Sequence, residues 1–229
     1  MTTPLPVGEA KVRAVDDMFD RIAPRYDLLN RMLTFGMDVG WRKRTVAALG
    51  LPPGSRVLDI ACGTGDLCRV LKTSGYVAIG IDRSAGMLAA ARTSAPLVRA
   101  DGLRLPFADG SIDGIVCGFA LRNFENLGNF IGECARVLRT GGRVSLLEVA
   151  EPRARVLRAG HSLYFGHVVP LVGGLVSDRA AYQYLPKSVA YLPTEAELMR
   201  LLVDRGLPDA RRVALSMGIA QLLTGTRRR

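Results

Sequence analysis

The residues best able to do chemistry cluster in one ten-residue segment, VLDIACGTGD at 57 to 66. An apolar run there ends around Asp59 and passes into Gly63, Thr64 and Gly65, which open a helix. In open parallel sheets, ligands bind outside the carboxyl ends of the strands, and glycines at such a point let the backbone approach a ligand closely. Asp82 ends the next apolar run, where an acid can accept both hydroxyls of an adenosine ribose. Asp101 follows a third short run, in ADGLRLPF, and is placed to accept a hydrogen bond from an adenine amine.

A glycine loop and a ribose acid fit a dinucleotide equally well, so the surrounding charges must decide. The dinucleotide fingerprint requires a third glycine where this chain has Cys68, and a pyrophosphate favours a helix N-terminus free of competing acid. Here Asp59 and Asp66 bracket the loop. Their negative charge suits a cofactor with an ammonium and a sulfonium group and opposes a diphosphate. Three acids at three strand ends therefore point to S-adenosylmethionine. Taken singly, each residue has a plainer account: Gly63 and Gly65 as a tight turn, Asp59 as a helix cap.

The elements that must position these residues follow the α/β pattern. Strands are expected at Arg56 to Ile60, Val77 to Ile81, Leu97 to Ala100, Gly114 to Phe119 and Arg143 to Val149, with helices at Ser84 to Thr93 and Asn126 to Leu138 between them. This alternation predicts a Rossmann-like, mostly parallel seven-stranded sheet with helices on both faces. Its last strands are expected at Ala210 to Leu215 and Gly218 to Thr224, after a capped helix, TEAELMRLLVDR, at 194 to 205. Residues 1–15, rich in proline and small side chains, read as a flexible tail, and 16–229 as a single domain. Within it, 16–50 forms a helical preface broken at Pro24 and closed at Gly36, 55–150 the cofactor-binding core, 151–193 a substrate cap and 194–229 the closing helix and strands. Residues 159–177 hold no formal charge, yet Gly166, Pro170, Gly173 and Gly174 interrupt them too often for a membrane-spanning helix.

The chain has 229 residues, 48% hydrophobic and 23% charged, which is ordinary globular composition. Its net charge of +10 is carried almost wholly by arginine, with only four lysines. Clusters at Arg42 to Arg44, Arg153 to Arg158 and Arg227 to Arg229 lack the interleaved aromatics that stack on bases, so they read as solvated surface and no nucleic-acid partner is expected. Cys62, Cys68, Cys117 and Cys134 form no CxxC pair and read as reduced core thiols, without a metal site or a disulfide framework. No apolar signal core opens the chain, and a cytoplasmic location is expected.

Beyond these chemical signals, the sequence resembles the ubiquinone/menaquinone biosynthesis C-methyltransferases among the class I methyltransferases. The resemblance runs through MFDRIAPRYDLLNRMLTFGMDVGWRKR at 18 to 44, VLDIACGTGDL at 57 to 67, GIDRSAGML at 80 to 88, LPFADGSID at 105 to 113, GFALRNFEN at 118 to 126, ARVLRTGGR at 135 to 143 and YQYLPKSV at 182 to 189. It implies methylation of a ring carbon of a polyprenyl quinol, such as 2-demethylmenaquinol. It further implies cofactor contacts at Thr64, Asp82, Asp101 and Gly102, with Arg83, Met87 and Gly118 in the same set, and Arg122 and Asn123 beside the reacting ring. Tyr26, Tyr182 and Tyr184 would line the ring pocket, with packing an equally good account of Tyr182 and Tyr184. The family pattern is departed from at 216 to 227, SMGIAQLLTGTR, and at 148 to 152, EVAEP, which bears on the acceptor more than on the cofactor.

Methyl transfer from a sulfonium needs the acceptor carbon held in line and water excluded. A quinol carbon becomes nucleophilic once a ring hydroxyl loses its proton, and Arg122 is expected to stabilise that anion because its guanidinium stays charged. His161 and His167, the only histidines, are weak candidates for the base. The uncharged segment is expected to cover a prenyl chain and to touch the membrane surface peripherally; a helix pair packed on the sheet fits it as well. A homodimer is a further expectation. The alternatives are a paralogue acting on another small phenolic acceptor and, from a different class, a nicotinamide-dependent oxidoreductase.

Overall fold

The computed structural model describes residues 8–152, 164 and 188–228. Seven strands make one sheet in the order β3-β2-β1-β4-β5-β7-β6. They are β1 (Arg56–Ile60), β2 (Val77–Asp82), β3 (Leu97–Arg99), β4 (Ile112–Gly118), β5 (Leu138–Val149), β6 (Arg211–Leu215) and β7 (Ala220–Thr226). The first five run parallel, and β7 pairs antiparallel with both β5 and β6. Register puts Ile60 level with Ile81 of β2 and Cys117 of β4, so three strands end at one height. Strand order reverses between β1 and β4, which opens a crevice at those carboxyl ends.

Both faces of the sheet are covered, as the apolar runs demand. Leu58, Ile60, Ile115 and Cys117 pack with Phe130, Val137 and Leu202, brought by α6 (Leu127–Val137) and α7 (Glu195–Asp204). Alternate residues Val57 and Val116 pack on the other face with Val46 of α3 (Met37–Ala47) and Leu67 and Leu71 of α4 (Asp66–Thr73). Caps appear where the sequence offers them: Asn126 accepts the Asn129 amide at 2.9 Å, and Thr194 with Glu197 completes a capping box on α7.

The expected seven-stranded, mostly parallel architecture is borne out, and the element ends are where it differs. The helix after β2, α5, covers only Ala85–Ala89, short of Thr93. More consequentially, the expected loose tail is helical from Gly8: α1 spans Gly8–Ile22. Lys11, Val15, Met18 and Ile22 recur at helical intervals on its buried side, and they hold the helix against the domain. The break at Pro24 is a 3-10 turn, Ala23–Arg25, leading into α2 (Tyr26–Leu33). Gly36, in the left-handed region, ends that preface and starts α3.

Candidate active site

The crevice is a cleft of about 840 Å³ open to solvent. Ile60, Ala61 and Gly63 from the end of β1, and Asp82, Arg83 and Met87 from β2 and α5, form one side. Asp101 and Gly102 follow β3, while Gly118, Phe119, Ala120 and Asn123 come from the end of β4. Val12, Val15, Asp16 and Phe19 of α1, with Tyr26 of α2, close it from above. Ala61 and Phe119 both adopt positive φ, +56° and +60°, so the backbone is strained just where β1 and β4 turn at the cleft.

The acids at the strand ends are held by backbone donors. Asp82 accepts the Gly63 amide at 2.7 Å on one oxygen and the Ser84 amide at 2.9 Å on the other. Burial raises its carboxyl above the usual range, against the pull of those amides. Each oxygen keeps a second lone pair for a ribose hydroxyl. Asp101 accepts the Leu103 amide at 2.9 Å and Arg83 Nη1 at 3.0 Å, which orients it across the cleft.

Asp59 lies behind the loop, 1% exposed. Its Oδ2 accepts the amide and the thiol of Cys68, and its Oδ1 has no hydrogen-bond partner among the described residues. Burial pushes its carboxyl up to about 7, the Cys68 donors and Arg42 pulling down and Asp82 pushing further up. An orphaned carboxylate oxygen in an interior is costly unless something positive arrives. The residues present therefore fit S-adenosylmethionine: Asp82 and Asp101 line the cleft for the adenosine, and the negative charge of Asp59 behind the wall suits an ammonium group.

Several expected site residues take other work. Thr64 is buried, its hydroxyl bonded to Asp27 of α2, and it does not line the cleft. Gly65, at φ +84°, starts α4, and a Cβ there would lie 2.7 Å from Thr93 Cγ2, so its role is steric. Asp66 does not offer its charge to a cofactor, because Arg31, Arg42 and Arg69 surround it. Arg42 is itself a correction. It is buried between Asp38 and Asp66, whereas Lys43 and Arg44 are exposed as expected.

Arg122 is the largest departure. Its guanidinium does not line the cleft; it is 7% exposed and paired with Glu148 on β5, which is 0% exposed. Arg122 Nε donates to Ser188 Oγ and Nη1 to the Phe119 carbonyl, both at 3.0 Å. A guanidinium buried on Glu148, Ser188 and the Phe119 carbonyl holds the turn at Leu121–Asn123, and it presents Asn123 to the cleft. Tyr26 does line the cleft, and burial raises its phenol. Tyr182, Tyr184, His161, His167 and most of the expected cap lie outside the described residues. The four cysteines are free and buried, as expected.

Sequence reasoning named Tyr26 of α2 but missed what α1 contributes. Lys11 Nζ donates to the carbonyls of Arg122 at 2.9 Å and Phe124 at 3.1 Å, and Asp20 accepts the Gly86 amide at 2.9 Å. The signal was present as the i, i+4, i+7, i+11 spacing of Lys11, Val15, Met18 and Ile22. Residues 6–227 match the ubiE/COQ5 methyltransferase family. The chain belongs to that family.

The ubiE/COQ5 assignment agrees with the relatives. The chain is 40% identical to the demethylmenaquinone methyltransferase of Roseiflexus sp. (strain RS-1), over 99% of each chain. It is 41% identical to the protein of that name from Thermus thermophilus, over 92% of this chain and 100% of the relative. A third, the ubiquinone/menaquinone biosynthesis C-methyltransferase UbiE of Geobacter sulfurreducens, is 37% identical over 94% of this chain and 89% of its own. In fold, the ubiE/COQ5 chain is similar to a SAM-dependent methyltransferase of Thermotoga maritima, described as a possible histamine N-methyltransferase. There the TM-score is 0.67 at 19% identity, covering 93% and 99% of the two chains. A putative methyltransferase solved with the Haloferax volcanii Trm112 activator gives 0.67 at 17%, covering 92% and 98%. The resemblance read from the sequence motifs is borne out, and a nicotinamide oxidoreductase is set aside.

Proposed function

We propose that the chain transfers a methyl group from S-adenosylmethionine to a ring carbon of a polyprenyl quinol, with 2-demethylmenaquinol as acceptor and menaquinol as product. The observation that carries this reading is the two-sided cleft. One side is set with Asp82 and Asp101, with the buried Asp59 behind its wall, and the other with Tyr26, Phe119, Ala120 and Asn123. The names of the relatives supply the acceptor class.

When bound, S-adenosylmethionine supplies an activated methyl on a sulfonium. Asp82 takes the ribose hydroxyls and Asp101 the adenine amine, while Met87, 2% exposed, and Gly102 bound the adenine slot. Gly118, at the end of β4, lets the backbone come close to the cofactor. Tyr26 and Asn123 face the acceptor ring. The Tyr26 phenol, with its pKa raised, stays protonated and donates to the ring oxygen that develops charge. Walls from α1 exclude water.

The departures from the family pattern at 216 to 227 fall in β7 and the turn before it, and none lines the cleft. The departure at 148 to 152 includes Glu148, the buried partner of Arg122. Neither favours a different phenolic acceptor.

A cytoplasmic protein with a prenylated acceptor must meet the bilayer at its surface, and no described helix is long and apolar enough to cross a membrane. Leu28, Met32 and Phe35 are 57%, 46% and 77% exposed along α2 and its end, on the element that carries Tyr26. This stripe is the proposed peripheral contact. Co-sedimentation with phosphatidylglycerol vesicles, lost in Phe35→Ser, supports it; a homodimer that buries the stripe in solution and no vesicle binding opposes it. The function itself is tested by incubating the protein with S-adenosylmethionine and short-chain demethylmenaquinone under reducing conditions. Turnover that requires the reduced ring supports the reading, and turnover of simple phenols alone opposes it.

A further inference from the structure

Cys68 is conspicuous in the sequence only as the residue that spoils a dinucleotide fingerprint, and the fold gives it a task. Helix α4 begins at Gly65, which has no side chain to cap it. The amide of Cys68, three residues on, is satisfied instead by Asp59 Oδ2, reaching across from β1 at 3.0 Å. The Cys68 thiol donates to the same oxygen at 3.2 Å. Both donors converge on Oδ2, while Oδ1 is buried and without a partner among the described residues.

We propose that Cys68 is a positioning residue for the amino-acid end of the cofactor: its amide and thiol hold one oxygen of Asp59 so that the carboxylate's charge stays fixed behind the part of the cleft wall that the ammonium group meets. The inference rests on reading the cleft as the site of S-adenosylmethionine.

The thiol cannot easily be elsewhere. Gly80 lies level with Asp59 in the β1–β2 register, and a Cβ at Gly80 would come within 2.9 Å of Cys62 Sγ and 3.0 Å of Cys68 Sγ. The two sulfurs thus fill the space that a side chain at position 80 would take. Cys68 is 0% exposed, which shields its contact with Oδ2 from bulk solvent. The charged and titratable groups acting on Asp59 are few: Arg42 from α3 favours its ionised form, Asp82 from β2 opposes it, and the Cys68 thiol and amide stabilise it. Cys62 sits beside the Cys68 sulfur. Next along the chain, Ile60, Ala61 and Gly63 line the cleft, which puts Asp59 directly behind its wall.

A thiol is a weak donor, a serine hydroxyl a stronger one, and alanine none. Calorimetric titration of the full chain with S-adenosylmethionine and with 5′-methylthioadenosine separates this role from a packing role. The second ligand keeps the adenosine and lacks the amino-acid group. Cys68→Ala is expected to weaken S-adenosylmethionine about tenfold, leave 5′-methylthioadenosine within about twofold of the parent, and move the midpoint of the pH dependence of binding upward. Cys68→Ser is expected to restore the affinity and move that midpoint below the parent's. Equal weakening of both ligands, or unchanged S-adenosylmethionine binding in Cys68→Ala, overturns the proposal. Should the alanine variant not fold, an unmoved midpoint in Cys68→Ser overturns it alone. Failure of 5′-methylthioadenosine to bind the parent protein would count instead against the cofactor reading on which the proposal rests.

Discussion

Arg83 meets Asp16 at 3.0 Å, and the same guanidinium holds Asp101 at 3.0 Å. One side chain at the end of β2 thereby ties the first helix to the acid that follows β3. Because α1 supplies Val12, Val15 and Phe19 to the cleft, loosening that tie is expected to ease the opening of the cofactor side.

Asp16→Ala removes one half of the tie. Arg83 and Asp16 are each about a third exposed, so the pair contributes under about 1 kcal/mol and the melting temperature should barely move. Release of S-adenosylhomocysteine should quicken by roughly threefold, read by stopped-flow displacement, an effect of that same small size. An unchanged release rate would show that α1 does not gate the cleft.

Arg122→Ala leaves Glu148 buried without its partner, and stability should fall by about 3 to 5 kcal/mol in urea titration. The double change Arg122→Met with Glu148→Leu should recover most of that loss. Turnover abolished in Arg122→Ala with an unchanged urea midpoint would return Arg122 to direct contact with the acceptor.

Gly65→Ala places a Cβ at φ +84° and 2.7 Å from Thr93 Cγ2, so both backbone and packing oppose it. A loss of roughly 2 kcal/mol is expected in the same titration. Thr93→Ser removes the Cγ2 contact but leaves the Thr93 Cβ position at 3.0 Å and the backbone strain, so the double variant should recover only part of it.

Burial pushes the Asp59 carboxyl from an ordinary 3.8 up to about 7, and a nearby ammonium group favours its ionised form. Affinity for S-adenosylmethionine should rise with pH up to about 7 and level off above it. Binding near pH 6 should release close to one proton, detected by calorimetry in buffers of different ionisation enthalpy. For stability the sign is opposite. Between about 4 and 7 the folded protein keeps a proton that the unfolded chain has lost, so ligand-free stability falls as pH rises through that window. A flat affinity profile would mean that the charge of Asp59 does not act on the ammonium group.

The β1 loop and its acids were legible in the sequence because strand endings, glycines and acids fall together within ten residues, VLDIACGTGD. The Arg122–Glu148 pair was not, since 26 residues separate them and only the parallel pairing of β4 with β5 brings them together. Arg42 was legible in principle: Asp38, Trp41, Arg42 and Thr45 are buried at i, i+3, i+4 and i+7 of α3. A charge count along WRKR hides that stripe, because composition does not say which neighbour faces inward. The first turns of helix α1 were obscured by composition instead, because proline and small side chains make residues 1–15 read as a tail.

The central claim is carbon methylation of a reduced quinone ring, and the position of the transferred group tests it most directly. The protein is incubated with S-adenosylmethionine deuterated in the methyl group and chemically reduced short-chain demethylmenaquinone, and the product is analysed by mass spectrometry and NMR. The label is expected on the ring carbon of the menaquinol, with no product from the oxidised ring. Label on a ring oxygen, or equal labelling of the oxidised ring, would contradict it.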